Sequence, residues 1–441
     1  MTMSSANQVT NQTFLSYLFF WSGQVLSLLG STIVQFVIIW WIVVYYLNPI
    51  YLSIAYLLGI GVQVLFLPVA GVFVDRWNRK LVIGITDAVL AVGALGLIIL
   101  FTIKDQFAID SFFWLIVVLL CFRGIASSFH DTATKAIIPI MVPRHQLNRL
   151  NGLQFLFLGF INIIGPAIGA VLYELFPLNL IIWIDCITFI IAIIPLVLIT
   201  IPTIENNKNV KGVNGFKSFI HDFRDGVDII RSKEGLFPLL FVLTMINFMQ
   251  IPIIVLGPFF VYSIHLGTVQ DLAFIIAASQ LGFLFSGILM LIKKDWNRKA
   301  FVIILCLYLQ LVGYFIQVIT PIGVFEFMAI GAFIFGAMLP IINSMFRTIL
   351  QVVVPPELQG RVTAITAAMA GAILPIGMLA SGPLAESLGI VELFIISIVM
   401  SLIILSLMYI FTDLKYADKG IETSEFQKEI LPASKAMGVG K

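Results

Sequence analysis

Apolar runs follow one another along almost the whole chain, separated by short clusters of charged, proline, asparagine and glycine residues. Such runs reach the length of about 18 residues or more that an α-helix needs to cross the hydrocarbon core of a bilayer. A helix is favoured in lipid because it satisfies its own backbone hydrogen bonds. The pattern predicts twelve transmembrane helices, over residues 14–46, 50–74, 81–103, 112–140, 150–173, 180–201, 236–264, 272–292, 300–319, 322–350, 362–385 and 391–412.

The composition agrees with an all-α integral membrane protein. Hydrophobic residues make up 60% of the 441 positions and charged residues 11%, whereas soluble domains are about 25% charged. Cys121, Cys186 and Cys306 lie far apart inside apolar runs, so we expect neither a disulfide framework nor a metal site. No basic segment precedes the first apolar run, which is therefore expected to be a retained helix and not a cleaved signal peptide.

The positive charges are distributed asymmetrically. All but three of the 25 Lys and Arg residues lie at the alternate connections that begin with residues 71–80, in the central segment or in the C-terminal tail. The opposite set of loops holds only Lys104, while Arg123 and Lys135 lie within the fourth predicted helix. By the positive-inside rule, the charged connections and both termini are expected to be cytoplasmic. We therefore predict a multi-pass protein of the cell membrane.

One long polar segment, residues 202–235, interrupts the apolar runs at the middle of the chain. It predicts a cytoplasmic linker between two six-helix halves, residues 14–201 and 236–412, with cytoplasmic ends at 1–13 and 413–441. Within the linker, residues 216–223 have apolar positions at helical spacing among charges. This pattern is typical of an amphipathic helix on the membrane surface, although a solvated linker is an equal alternative.

The two predicted halves also resemble each other in sequence. Aligning residues 142–143 with 354–355 superposes further pairs at one offset: Arg149 on Arg361, Gly159 on Gly371, Gly165 on Gly377 and Glu174 on Glu386. A repeat of this kind indicates two parallel halves related by an axis along the membrane normal, with a substrate site between them near the midplane.

The most distinctive loop is GVFVDRWNRK, residues 71–80, and its tetrad Trp-Asn-Arg-Lys recurs at 296–299. The pattern G-x-x-x-D-R-x-x-R-K resembles the loop between the second and third helices of major facilitator superfamily transporters. The resemblance implies a conformational latch that stabilises one of two arrangements of the halves; its expected members are Gly71, Asp75, Arg76, Arg79, Lys80 and Asp131. The alternative is that these charges only set the topology.

The fourth predicted helix carries Arg123, His130, Asp131 and Lys135 in apolar surroundings. Charges within a span are costly and normally face a cavity or a partner. Helical periodicity places Arg123 and His130 on one face, and Asp131 and Lys135 on another about 80° away. Asp131 is expected to pair with Arg79 or Lys135 as part of the latch, or else to carry a proton. Arg123 is expected to hold an anionic group, to set the pKa of a carboxylate or to bond to backbone carbonyls. His130 is a candidate titrating group.

Further candidates lie in other spans. The buried carboxylates expected to carry a proton are Asp87, Asp185 and Glu326, and the polar side chains expected to line a cavity or to join helices are Gln24, Asn247, Gln250 and Asn343. Gly165, Pro166 and Gly169 resemble the core of the exporter-associated motif of the same superfamily. The small residues are expected to permit close helix packing.

The resemblance extends over residues 15–412. The segment RGIASSFHD at 123–131, continuing through AIIPIMVP at 136–143, resembles the drug:proton antiporter branch that contains macrolide-efflux proteins. The resemblance implies a secondary transporter, not an enzyme, that exports lipophilic compounds in exchange for protons, as a monomer in the lipid bilayer. A siderophore or lysophospholipid transporter is the alternative within transport, and a sensor or scaffold that does not transport is the alternative outside it.

No cofactor, metal or nucleic acid is expected to bind. Residues 211–218 superficially resemble a phosphate-binding loop, but Phe216 separates Gly215 from Lys217 and the segment does not follow a predicted strand. Energy for transport is therefore expected to come from an ion gradient.

Overall fold

The computed structural model describes residues 11–201, 227–228, 230–293 and 296–419. The described ranges hold twelve helices long and apolar enough to span a membrane: α1 (Asn11–Tyr46), α2 (Pro49–Val74), α3 (Arg79–Thr102), α4 (Ile109–Met141), α5 (Leu147–Leu175), α6 (Leu178–Leu198), α7 (Leu236–Ile264), α8 (Val269–Ile292), α9 (Lys299–Ile319), α10 (Phe325–Val353), α11 (Gln359–Leu388) and α12 (Ile390–Phe411). Every end lies within three residues of its prediction. The predicted all-α fold with twelve transmembrane helices is confirmed. The amphipathic segment predicted at 216–223 and most of the tail lie outside the described residues.

Side-chain caps explain where several helices begin. The Asn48 side chain accepts a hydrogen bond from the backbone N–H of Ile50 at the start of α2, and Asn78 accepts from the first turn of α3 in the same way. At the start of α8, Thr268 and Asp271 form a reciprocal capping box. Such caps satisfy backbone donors that have no partner within the helix.

Two π-helical turns interrupt the regular helices, at Leu57–Gly61 in α2 and at Phe260–Ile264 at the end of α7. The first turn lies against α4, where a Cβ atom added at Gly124 would collide with the carbonyl oxygen of Gly59. Only a glycine permits this close approach. The turn also divides α2, because Pro49–Tyr56 packs mainly on α11 whereas Val62–Val74 packs mainly on α4.

The hydrophobic core has a different organisation at the two ends of the bundle. At the end that carries connections 75–78, 142–146 and 354–358, here called the basic end, the first six helices form one buried cluster and the second set forms another. At the opposite end, a single cluster contains residues of both sets, among them Val37, Ile116, Leu256 and Phe394. The two sets of helices therefore pack together at the opposite end and have separate cores at the basic end.

Specific contacts join the two sets of helices at the opposite end. The side-chain amide of Asn48 donates to the Glu386 carboxylate at 3.2 Å, and the Trp40 and Tyr262 rings meet edge to face at 5.4 Å. Nearer the basic end, helices α5 and α8 also keep the sets in contact, since the ring of Phe155 stacks on that of Phe283 at 4.8 Å.

Candidate functional site

A cavity of about 540 Å³ lies within the first six helices. Its wall is formed by α1, α2, α4 and α5, with Leu90 from α3 and Phe189 from α6. Most of the wall is apolar, and its aromatic side chains are Tyr17, Phe20, Trp21, Tyr56, Phe157 and Phe189. All four charged or titratable residues predicted on α4 line this cavity: Arg123, His130, Asp131 and Lys135. We refer to it as the polar cavity.

Arg123 forms an ion pair behind the cavity wall. Its guanidinium nitrogen Nη2 lies 2.6 Å from Oδ2 of Asp185 on α6, and the Asp185 side chain is 0% exposed. The other carboxylate oxygen accepts a hydrogen bond from the Ser31 hydroxyl at 2.7 Å, and Arg123 Nη1 donates to the Leu90 carbonyl at 3.1 Å. This network connects α1, α3, α4 and α6. Both oxygens of Asp185 are bonded, as a buried carboxylate requires.

His130 occupies the centre of a second polar cluster. Its Nε2 atom lies 2.9 Å from Oε1 of Gln24 on α1 and 3.1 Å from Oδ1 of Asp87 on α3. Its Nδ1 atom lies 3.8 Å from Oδ1 of Asp131. Asp87 is 0% exposed, and neither of its oxygens accepts an aligned hydrogen bond within the described residues. The imidazole ring therefore lies between a buried carboxylate and one on the cavity wall.

Asp131 has a different partner from those predicted. Its Oδ2 accepts a hydrogen bond from Nε2 of Gln63 on α2 at 3.0 Å, and its side chain is 42% exposed. In the part of the chain that the structure describes, Asp131 forms no ion pair with Arg79 or Lys135. The expected pairing is therefore not formed in this conformation, because the Asp131 side chain faces the polar cavity and not the 71–80 loop.

The 71–80 loop has local structural contacts. Lys80 Nζ donates to the carbonyls of Val197 at 3.1 Å and Ile199 at 2.6 Å, which satisfies acceptors at the C-terminal end of α6. Asp75 and Arg76 are exposed, and Arg79 is half-buried. A Cβ atom added at Gly71 would meet nothing within 4 Å. Among the described residues, no other helix packs closely against Gly71 in this conformation.

Gly165, Pro166 and Gly169 of α5 are buried against α1. A Cβ atom at Gly165 would lie 2.7 Å from Cγ2 of Thr32, and one at Gly169 would lie 2.8 Å from Cδ1 of Phe36. The small residues thus allow α1, a major wall of the polar cavity, to pack directly on α5.

Four other sequence candidates lie outside the polar cavity. Glu326 is exposed in the first turn of α10, so the expectation of a buried carboxylate is wrong there. Asn247 and Asn343 are also exposed. Gln250 is 3% exposed, and its amide nitrogen has no partner within the described residues. None of the four lines the polar cavity, whose wall consists of residues before position 190.

Sequence reasoning missed two residues that complete these clusters, Gln63 beside Asp131 and Ser31 beside Asp185. Both are polar residues inside apolar runs, and this feature of the sequence could have identified them as candidates. Within the described residues, no group of three or more His, Cys, Asp and Glu side chains has the geometry to hold a metal ion.

Comparison with known proteins identifies the family. The sequence profile of the Major Facilitator Superfamily matches residues 20–365 and 288–439. Macrolide efflux protein A of Streptococcus pyogenes is 27% identical over 388 residues, which cover 88% of this chain and 93% of that protein. Macrolide efflux protein A of Enterococcus faecalis is 27% identical over 323 residues, covering 73% and 97%.

A solved structure has the same fold. The bacterial homologue of the iron transporter ferroportin, in its inward-facing state, superposes with a TM-score of 0.69 at 12% identity, over 90% of this chain and 98% of that one. The resemblance seen in the 71–80 loop is thereby confirmed over most of the sequence. This multi-pass membrane protein belongs to the Major Facilitator Superfamily of transporters.

Proposed function

We propose that this protein exports lipophilic compounds of the macrolide type across the cell membrane in exchange for protons. The observation that carries the proposal is the polar cavity. Its volume of about 540 Å³ falls within the range of about 300–1,000 Å³ for sites of drug-sized ligands. Its wall is largely apolar and aromatic, which suits a lipophilic compound, while the charged groups of α4 supply polar contacts. The similarity to macrolide efflux proteins supports this substrate class.

The mechanism we propose is alternating access between two six-helix halves, residues 14–201 and 236–412, joined by the linker 202–235. The basic end faces the cytoplasm on this proposal, because cytoplasmic loops carry the excess of Lys and Arg; both termini are then cytoplasmic. The halves have separate cores at that end and a common core at the other. On this assignment the conformation is inward-facing, and the protein acts as a monomer.

The 71–80 loop is proposed to act as a latch in the other arrangement of the halves. Gly71 has open space around it here, as expected for a packing residue whose partner helix has moved away. Asp75, Arg76, Arg79 and Lys80 would then form interactions at the cytoplasmic end when that end closes. Asp131 faces the polar cavity, so we assign it to the cavity wall and not to the latch.

The test is accumulation of substrate in inside-out membrane vesicles with an imposed acidic interior. Radiolabelled erythromycin, a fluorescent dye and a lysophospholipid are compared, with a protonophore as the control for gradient dependence. The matched variants are Asp131→Asn in the cavity and Asp105→Asn in the exposed loop between α3 and α4. We expect gradient-dependent accumulation of erythromycin that is lost in Asp131→Asn and kept in Asp105→Asn.

The other outcomes distinguish the alternatives. Movement of lysophospholipid alone would replace the proposed substrate class with a lipid. Accumulation that survives the protonophore would contradict proton coupling. Binding of erythromycin by purified protein without accumulation would favour a sensor that has kept the transporter fold.

A further inference from the structure

We infer that Asp87, His130 and Asp131 together form the binding site for the exchanged proton. The inference rests on the proposed function, and it assigns the coupling step to one cluster of the polar cavity. The two fully buried carboxylates of the first six helices, Asp87 and Asp185, have different surroundings.

Asp185 is paired with a permanent positive charge. Arg123 lies 2.6 Å away, and guanidinium does not lose its proton in proteins. The Ser31 hydroxyl supplies a further hydrogen bond. The charge of this carboxylate is therefore balanced within the protein, without a proton from the medium.

Asp87 has no such fixed partner. Its closest positive candidate is His130, with Nε2 at 3.1 Å, and imidazole gains and loses a proton in the physiological range. A buried ionised carboxylate without a counter-charge is costly. The Asp87 and His130 pair must therefore hold a proton, either as imidazolium and carboxylate or as two neutral groups. Loss of this proton leaves an unbalanced negative charge inside the protein.

The proton has a route from the polar cavity to this pair. Asp131 is 42% exposed on the cavity wall and lies 3.8 Å from Nδ1 of His130, while Nε2 of the same ring faces Asp87. An imidazole accepts a proton on one nitrogen and releases one from the other. Gln24 Oε1, at 2.9 Å from Nε2, accepts from that nitrogen when it carries hydrogen. A proton from Asp131 thus reaches Asp87 through one ring when the 3.8 Å separation from Nδ1 shortens to a hydrogen bond or is bridged by a water.

The other polar and charged groups near His130 do not take over proton exchange from this cluster. Around His130, α1 contributes the neutral Gln24 and α2 contributes Gln63, which donates to Asp131. Arg123 is seven residues before His130, about 10 Å along the helix axis, and is bound to Asp185. Lys135 lines the cavity one turn after Asp131, and its positive charge favours release of the proton toward the cavity.

Exchange requires that substrate and proton affect each other's binding. His130 and Asp131 both line the cavity, so a bound compound contacts the proton site directly. If substrate binding lowers the affinity of the cluster for the proton, proton binding lowers the affinity for substrate by the same factor. This reciprocity couples export to proton entry.

The experiment separates coupled transport from simple exchange. Native protein and the variants Asp87→Asn and His130→Gln are reconstituted in liposomes, and two rates are measured with radiolabelled erythromycin. The first is accumulation driven by a pH gradient, and the second is exchange of internal for external erythromycin without a gradient. His145→Gln is the matched control, because His145 lies in a 3₁₀ turn between α4 and α5 outside the cavity wall.

We expect both cluster variants to lose at least tenfold in gradient-driven accumulation. In Asp87→Asn, whose side chain lies outside the cavity wall, exchange should stay within about twofold of native, which also proves folding. His145→Gln should match the native protein in both rates. Gradient-driven accumulation that persists in both cluster variants would overturn the inference and leave the proposed function intact. Loss of exchange together with accumulation in Asp87→Asn would also overturn it, since Asp87 would then be needed for the fold or for substrate binding. A native protein that accumulates no erythromycin would overturn the proposed function itself, and the inference with it.

Discussion

The Arg123 guanidinium lies 2.6 Å from the Asp185 carboxylate, although the two residues are 62 positions apart in sequence. Removal of one member leaves the other charge buried without a partner, which typically costs about 3–5 kcal/mol. We expect Asp185→Asn and Arg123→Gln each to lower the free energy of unfolding by this amount. The double variant should lose less than the sum, because the residues interact directly. Unfolding of purified protein in detergent provides the measurement, and strict additivity would contradict the coupling.

Because α5 packs closely on α1, substitution of two glycines of α5 should cost different amounts of stability. A Cβ atom at Gly169 would lie 2.8 Å from Phe36, whereas one at Gly152 would meet nothing within 4 Å. Gly169→Val should cost about 1–3 kcal/mol through overpacking. Gly152→Val makes the same chemical change in open space and should cost less. Thermal unfolding of both variants compares them, and equal losses would exclude packing as the cause.

The contact between Asn48 and Glu386 joins the two sets of helices at the end opposite the basic end. A covalent link there should hold that end closed and stop transport, if transport requires the halves to separate. The test is a short bifunctional thiol reagent that reduction can cleave, applied to Asn48→Cys/Glu386→Cys in a background without the three native cysteines. We expect loss of erythromycin accumulation and recovery on reduction. Each single-cysteine variant is the control, and unchanged transport in the cross-linked protein would count against alternating access.

A substitution at Gly71 tests whether the 71–80 loop acts as the proposed latch. Because a Cβ atom there would meet nothing within 4 Å, Gly71→Leu should leave the thermal stability of this conformation unchanged. If a helix packs on Gly71 when the basic end closes, the variant should nevertheless slow transport by tenfold or more. Gly152→Leu, which also has open space, is the control. Normal transport by Gly71→Leu would restrict the loop to its topological role.

The burial of His265 predicts that the stability of the protein depends on pH. The residue follows α7 at the end opposite the basic end, is 3% exposed, and its Nδ1 has no partner within the described residues. Burial lowers the pKa of His265 from its ordinary value of 6.5, so the unfolded chain binds a proton more readily than the folded one. The contribution of the neutral His265 ring to the free energy of unfolding is therefore fully present above pH 6.5, and it decreases as the pH falls below 6.5.

The measurement is the melting temperature of native protein and His265→Phe between pH 5 and pH 8. The native protein should melt at a lower temperature at the acidic end, and the variant should lose part of that dependence. An identical pH profile in both proteins would assign the effect to other groups.

The helices were predictable because membrane spans have a strong local signal. Each span needs a long apolar run, and the polar clusters that end the runs include the residues that cap the helices, such as Asn48 and Asn78. Asp87 and Asp185 were also recognisable, since a carboxylate within an apolar run needs a partner.

The partners of these groups were not predictable, because they depend on how separate helices rotate toward each other. Axial distance alone suggested Arg79 for Asp131, but the side chain points to Gln63 across the polar cavity. For the same reason, Asn247 and Asn343 could not be assigned to a face of their helices from sequence. Both are exposed and lie outside the polar cavity.

The π-helical turn at Leu57–Gly61 gives α2 one extra residue between its two packed segments. Removal of one residue from the turn would convert it to a regular helix and rotate Val62–Val74 by about 100° relative to Pro49–Tyr56. Gln63 would then leave Asp131, while the contact of the first segment with α11 stayed in place. This single inserted residue thus sets the angular register between the half of α2 that meets the other bundle and the half that supports the charges of α4.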